Sequence, residues 1–86
     1  MKIIKISAIW CSACLIMNKI YKELEKEQDL EIISYDIDMD EEEVEKYNVG
    51  EKLPEVIFLE GNKEIGRMIG EHSKEEIEKY IKELNS

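Results

Sequence analysis

Basic charge is scarce in this sequence of 86 residues: 12 Lys and Arg stand against 21 Asp and Glu, a net charge of −9. With a pI near 4.6 the chain offers no basic footprint for a phosphate backbone or an anionic lipid surface, and its cations are scattered among acids. Long apolar runs are also missing. Nothing approaches the roughly 18 residues needed to span a bilayer. The opening Met1–Trp10 is cut by Lys5 before it can form the apolar core of a signal peptide, which points to a cytoplasmic protein. Proline occurs once and glycine four times, and no linker, repeat or low-complexity tract is visible. Cysteine occurs twice, too few for a disulfide-built secreted scaffold; Cys11 and Cys14 would close a ring too short to staple a fold. A four-ligand zinc or iron–sulfur site is excluded too, because His72 is the only other soft donor. Redox chemistry is the leading explanation of the pair.

What is present is enough apolar residue, 43%, for one soluble domain over residues 1–86, with 38% charged. Residues 2–9 are short and β-branched, predicting a strand with Ile4 and Ile6 on one face and Ile3 on the other. From Ser12 the spacing changes to Leu15, Ile16, Ile20, Tyr21 and Leu24, the stripe of an amphipathic helix to about Gln28. Residues 30–37 return to strand character, completing a βαβ unit with parallel, right-handed pairing. Asp38-Met39-Asp40 opens a short acidic helix, with Asp40 and Glu43 as a capping box and Val44 and Tyr47 inward, ending at Gly50. Residues 55–59 are the strongest strand; a Glu60-Gly61-Asn62 turn leads to a run from Lys63 to Ile69 that completes an antiparallel hairpin. Ser73 and Glu76 form another capping box before a terminal helix whose inward stripe is Ile77, Tyr80, Ile81 and Leu84.

The order is β-α-β-α-β-β-α, and the Cys-x-x-Cys falls where the first strand hands over to the first helix. Free N–H groups and partial positive charge at a helix start favour the thiolate of a cysteine placed there. Cys14, about one turn further in, can reach a mixed disulfide formed at Cys11 and expel the substrate thiol. The competing readings are two inert core cysteines, or a soft-metal carrier binding Cu(I) on two thiolates.

Through Ala8-Ile9-Trp10-Cys11-Ser12-Ala13-Cys14, Leu53-Pro54 ahead of an apolar strand, and Gly70 after the hairpin, the sequence resembles the thioredoxin family over nearly its whole length. The resemblance implies an α/β, minimal thioredoxin-like fold: a central four-stranded mixed sheet with helices on both faces. It also implies a dithiol–disulfide oxidoreductase in which Cys11 attacks and Cys14 resolves. Pro54 would be cis, turning the Leu53 backbone toward an extended substrate segment, with Trp10, Ser12, Ala13 and Gly70 completing the groove. No cofactor is implied beyond the Cys11–Cys14 disulfide. The implied partners are disulfide-containing client proteins and a flavin-dependent reductase of the thioredoxin-reductase type, with the chain acting as a monomer.

Three departures stand out. The chain opens directly on the strand before the cysteines, as in the shorter version of the fold also used by glutaredoxins. Ser12-Ala13 replaces the Gly-Pro of thioredoxins and the Pro-Tyr common in glutaredoxins. Lys5 occupies the place where thioredoxins keep a buried Asp; it either modulates the Cys14 proton electrostatically, pairs with an acid such as Asp36, or snorkels to water from a sheet face covered by one helix. The alternatives to a protein-disulfide reductase are a glutaredoxin-like protein recycled by glutathione, with Lys52 and Arg67 as the nearest carboxylate binders, or a redox-inactive module. His72 reads as a solvated loop residue, and Met39 and Met68 as gap-fillers.

Overall fold

The computed structural model describes residues 1–85, in the order β1 (Lys2–Ser7), α1 (Ser12–Gln28), β2 (Glu31–Asp36), α2 (Glu41–Glu45), β3 (Glu55–Glu60), β4 (Lys63–Ile69) and α3 (Lys74–Leu84). The strands form one four-stranded sheet in the order β2-β1-β3-β4. β1 and β2 run parallel from Lys2↔Glu31 to Ser7↔Asp36, while β3 is antiparallel to both β1 and β4. Each predicted strand and helix is present, but the inward stripe of α1 differs from the expected one: Leu15 and Ile16 are exposed, and Cys14 and Met17 are buried with Tyr21 and Leu24. The first strand is shorter than expected, because Ala8 to Trp10 turn away so that the Cys11 N–H donates to the Ala8 carbonyl at 3.2 Å.

Period-two alternation in the central strands feeds two cores. Ile3, Val56 and Phe58 pack with Met17, Tyr21 and Leu24 of α1 and with Ile77 and Ile81 of α3. On the other face Ile4, Ile6, Ile57 and Leu59 pack with Val44 of α2, Leu53 and Cys14. Helices therefore cover both faces. β1 and β3 are buried on both sides, β3 as a continuous apolar run from Val56 to Leu59 and β1 as one broken by Lys5, whereas β2 and β4 form the half-exposed edges.

Helix ends separate what local sequence decides from what it does not. At α3 both halves of the predicted capping box are made: Ser73 accepts the Glu76 N–H, and Glu76 accepts the Ser73 N–H. At α2 the predicted box is absent. Asp40 makes no side-chain cap, because its carboxylate instead accepts the Asp36 N–H at 2.8 Å, and the helix ends at Glu45. Met39 is 82% exposed and fills no gap, while Met68 packs against the core as expected. His72 is not merely solvated: one ring nitrogen lies 3.1 Å from the Ile69 carbonyl and the other 3.6 Å from Glu76.

At Gly66 on β4 the side chains of Tyr80 and Leu84 from α3 come close to the strand backbone. A β-carbon there would run into the Tyr80 hydroxyl, which accepts the Arg67 N–H at 3.1 Å, and the Tyr80 ring meets Phe58 edge-on at 5.3 Å. Gly66→Ala is expected to cost about 1–3 kcal/mol by overpacking. Gly50→Ala, whose β-carbon would enter open space, is expected to stay within about 0.5 kcal/mol of the parent. Urea unfolding of the reduced chains measures both.

Candidate active site at the β1–α1 junction

Cys11 is the N-cap of α1, with extended backbone angles (φ −97°, ψ 109°) that leave its sulfur at the open end of the helix. Its Sγ accepts the Cys14 N–H at 3.3 Å and lies 3.8 Å from the Leu53 carbonyl. A thiolate at Cys11 would be stabilised by that same N–H donor. Cys11 is partly exposed and Cys14 fully buried, and both are free thiols. Burial pushes the Cys14 thiol up to about 11, reinforced by its hydrogen bond with Cys11 and opposed by the Ala8 backbone and by Lys5. One sulfur is thus offered to solvent, and a second is held protonated one helical turn behind it.

The wall opposite Cys11 is the segment leading into β3. Leu53–Pro54 is a cis peptide bond, and the Pro54 carbonyl accepts the Gly70 N–H at 2.9 Å. Gly70, at φ 83°, has the Lys52 side chain packed over the space a β-carbon would take. The groove is therefore lined on that side by an aliphatic lysine stem as well as by glycine. Ser12 is exposed and Ala13 half-buried in the first turn of α1.

Trp10 is 65% exposed, and its indole N–H donates to Asp38 at 2.7 Å. The loop carrying Asp38 is itself fastened: Asp36 accepts the Asp38 and Met39 N–H groups at 2.8 and 3.1 Å. Ile9, Leu15 and Ile16, near the cysteines in the chain, are also exposed.

Two predicted placements change. Lys5 lies on the same sheet face as Ile3, the face that carries both α1 and α3, and not on the one-helix face. It pairs with no acid: the charges acting on it are Glu25 and Cys14, and burial lowers its proton affinity. Arg67 is not available to a substrate carboxylate. It is ion-paired with Glu55 and, through Nε and Nη2, with Glu64 at 2.9 and 2.6 Å.

Glu55 is the residue that sequence reasoning missed. Only 2% exposed, it accepts the Gly50 N–H at 3.1 Å with one oxygen and Arg67 with the other, tying the loop before Pro54 to β4. The available signal was an acid directly after Pro54, at the head of the apolar run over residues 56–59. No cluster of three or more His, Cys, Asp or Glu side chains suited to a metal occurs among the described residues.

Arg67→Ala leaves the buried Glu55 carboxylate uncompensated and is expected to destabilise the fold by about 3–5 kcal/mol, with much of that recovered in the Glu55→Gln/Arg67→Ala double variant. Chemical denaturation of the three chains checks it. The raised Cys14 value sets a pH dependence as well. The unfolded thiol ionises near 9.0 and the folded one near 11, so this contribution is intact below pH 9.0 and is lost as pH rises to about 11. Over that interval the reduced chain should lose stability more steeply than the oxidised chain, in which Cys14 cannot titrate.

The family model described as Thioredoxin matches residues 1–83. Among curated relatives, thioredoxin H5 of Oryza sativa subsp. japonica is 34% identical over 84 residues, covering 96% of this chain and 61% of the relative. Thioredoxin H2-1 of the same species is 33% identical over 85 residues, covering 98% and 60%. The chain thus spans about three-fifths of the length of these curated relatives. Among solved structures, reduced thioredoxin pre-protein of Schistosoma mansoni superposes with a TM-score of 0.85 at 28% identity, covering 96% of this chain and 77% of that one. Thioredoxin 1 of Thermosipho africanus does so at 0.82 and 28% identity, with both chains covered in full. The matched span takes in the paired cysteines at the helix start, the cis proline opposite them and the four-stranded sheet that brings them together, and the chain belongs to the thioredoxin family.

Proposed function

We propose that the protein is a dithiol–disulfide oxidoreductase that reduces disulfides in other proteins. The observation that carries this reading is the 3.3 Å contact between the Cys14 N–H and Cys11 Sγ, which sets an accessible sulfur at a helix start directly in front of a buried one. The Cys11 thiolate attacks one sulfur of the client disulfide, the other sulfur leaves as a thiolate, and a Cys11 mixed disulfide remains. Cys14 then loses its proton and attacks Cys11 Sγ, and the second client sulfur departs as a thiolate. The client gains two electrons and the chain is left with a Cys11–Cys14 disulfide. The Leu53–Pro54 edge receives the client backbone as an added strand, and Trp10 gives it a flat apolar wall.

Recycling by a thioredoxin-reductase-type flavoenzyme fits better than recycling by glutathione. The engagement of Arg67 with Glu55 and Glu64, together with the net charge of −9, leaves little to attract a tripeptide anion. The reading includes a cytoplasmic, monomeric protein that needs no cofactor beyond its own disulfide.

Dithiothreitol-driven insulin reduction tests the mechanism. Cys11→Ser is expected to abolish it, and Cys14→Ser to lose turnover while accumulating a covalent adduct with insulin on non-reducing gels. Undiminished reduction by Cys14→Ser would sink the two-thiol mechanism. Coupling the oxidised chain to NADPH through thioredoxin reductase, and separately through glutathione and its reductase, identifies the electron donor, and faster recycling by glutathione would overturn the assignment made here.

A further inference from the structure

Cys14, Asn18, Tyr21 and Glu25 recur along α1 at four-, three- and four-residue steps, so they form one stripe down the helix. Under the lower part of this stripe lies a cleft of about 310 Å³, lined from the helix by Asn18, Tyr21, Lys22 and Glu25 and from the strands by Lys5 and Ser34. Three of its polar groups have no hydrogen-bond partner among the described residues. The Tyr21 hydroxyl and Asn18 Oδ1 are buried and unsatisfied, and Lys5, only 8% exposed, makes neither a hydrogen bond nor an ion pair. Orphaned groups of this kind call for water or for a working role. The cleft has room for several waters at about 30 Å³ each, enough to hydrate a Lys5 ammonium against the cost of its burial.

We propose that Lys5 is a positioning residue for the resolving step, its ammonium serving as the counter-charge to the thiolate that Cys14 must become. The proposal rests on the two-thiol reading of the site. In the mixed disulfide the Cys14 thiol gives its proton to solvent, its electron pair forms the bond to Cys11 Sγ, and the bond from Cys11 to the client sulfur breaks, the leaving thiolate taking a proton from solvent. The anion on Cys14 is the costly state. Burial and the Cys11 sulfur oppose it, and Lys5 is the one side chain acting on Cys14 that favours it. The other titratable groups around the pair are Tyr21, Lys22 and Glu25 from α1, Tyr35 from β2, and Tyr47 beyond α2. None of these supplies a cation to Cys14 in place of Lys5.

A dithiobis(nitrobenzoate) stopped-flow experiment separates the two steps. The first thionitrobenzoate is released when Cys11 attacks the reagent, and the second when Cys14 resolves the mixed disulfide. At neutral pH, Lys5→Met and Lys5→Gln are expected to leave the first release unchanged and to slow the second about three- to tenfold, with Lys5→Arg restoring it. Equal second-phase rates in the parent and the neutral variants overturn the proposal. Should neither neutral variant fold, the parent chain still decides. Its second-phase rate should rise with pH in proportion to hydroxide, then bend downward from that line at the Lys5 midpoint read by NMR of its ε-carbon. A straight line through that midpoint overturns the assignment. Failure of the oxidoreductase reading looks different: no second release, and no Cys11–Cys14 disulfide, in the parent itself.

Discussion

The antiparallel register of β1 against β3 is the constraint on which the rest depends. Ile6 stands opposite Glu55, so the chain leaving β1 toward Cys11 and the chain arriving at β3 through Pro54 meet at the same end of the sheet. That meeting puts the Leu53 carbonyl 3.8 Å from Cys11 Sγ. Both strands are buried on both faces, and a one-residue slip would exchange the Ile3 and Ile4 sets between cores that are built differently. A slip of two residues would preserve the faces but carry Pro54 roughly 7 Å along the sheet, beyond contact with the thiol. The geometry of the sulfur site is thus fixed by apolar packing well away from it.

Charge inside this frame is handled in two opposite ways. Glu55 is buried but fully answered, by a backbone N–H from Gly50 on one oxygen and the Arg67 guanidinium on the other. Such a carboxylate holds a loop in place and stays chemically silent. Lys5 is buried in the neighbouring strand with no hydrogen bond or ion pair among the described residues, answered only by the field of Glu25 across a cleft open to water. An ammonium in that position projects its field onto whatever anion forms near it. The contrast follows the chain: the satisfied ion sits behind the backbone wall of the groove, and the unsatisfied one lies beneath the helix that carries the thiols.

Most of the fold was legible because it follows from periodicity. The alternation of Ile3 and Ile4 and the Ser73–Glu76 box each report a preference that nothing distant overrides. The spacing after Ser12 announced a helix but not its inward face, which runs through Cys14, Met17, Tyr21 and Leu24 and leaves Leu15 and Ile16 exposed. The paired cysteines and Leu53–Pro54 were legible as a motif, and the structure brings them into contact. What sequence could not specify was the choice made by polar side chains with several partners of similar local merit. Asp40 had its own helix start available and took the Asp36 N–H instead. Arg67, legible only as a free cation, is held by Glu55 from the adjacent strand and Glu64 from its own. The reading in which Lys5 snorkels from the face covered by one helix fails because its place in the strand, two residues after Ile3, settles the face regardless of its charge.

The acidic excess takes on a structural meaning beside the exposed apolar side chains. Ile9, Trp10, Leu15 and Ile16 expose apolar area of the kind that favours self-association in a chain of low net charge. A net charge of −9 opposes that association between identical copies, while it favours the approach of a partner with a basic surface. The acids also do a local job. Asp38 holds the Trp10 indole by its only donor, and Asp36 fastens the backbone of Asp38. An exposed tryptophan anchored in this way loses less freedom when a partner covers it than a free one would, so more of its apolar area is available to binding. The same carboxylates that keep the copies apart therefore pre-organise the one large aromatic face beside Cys11.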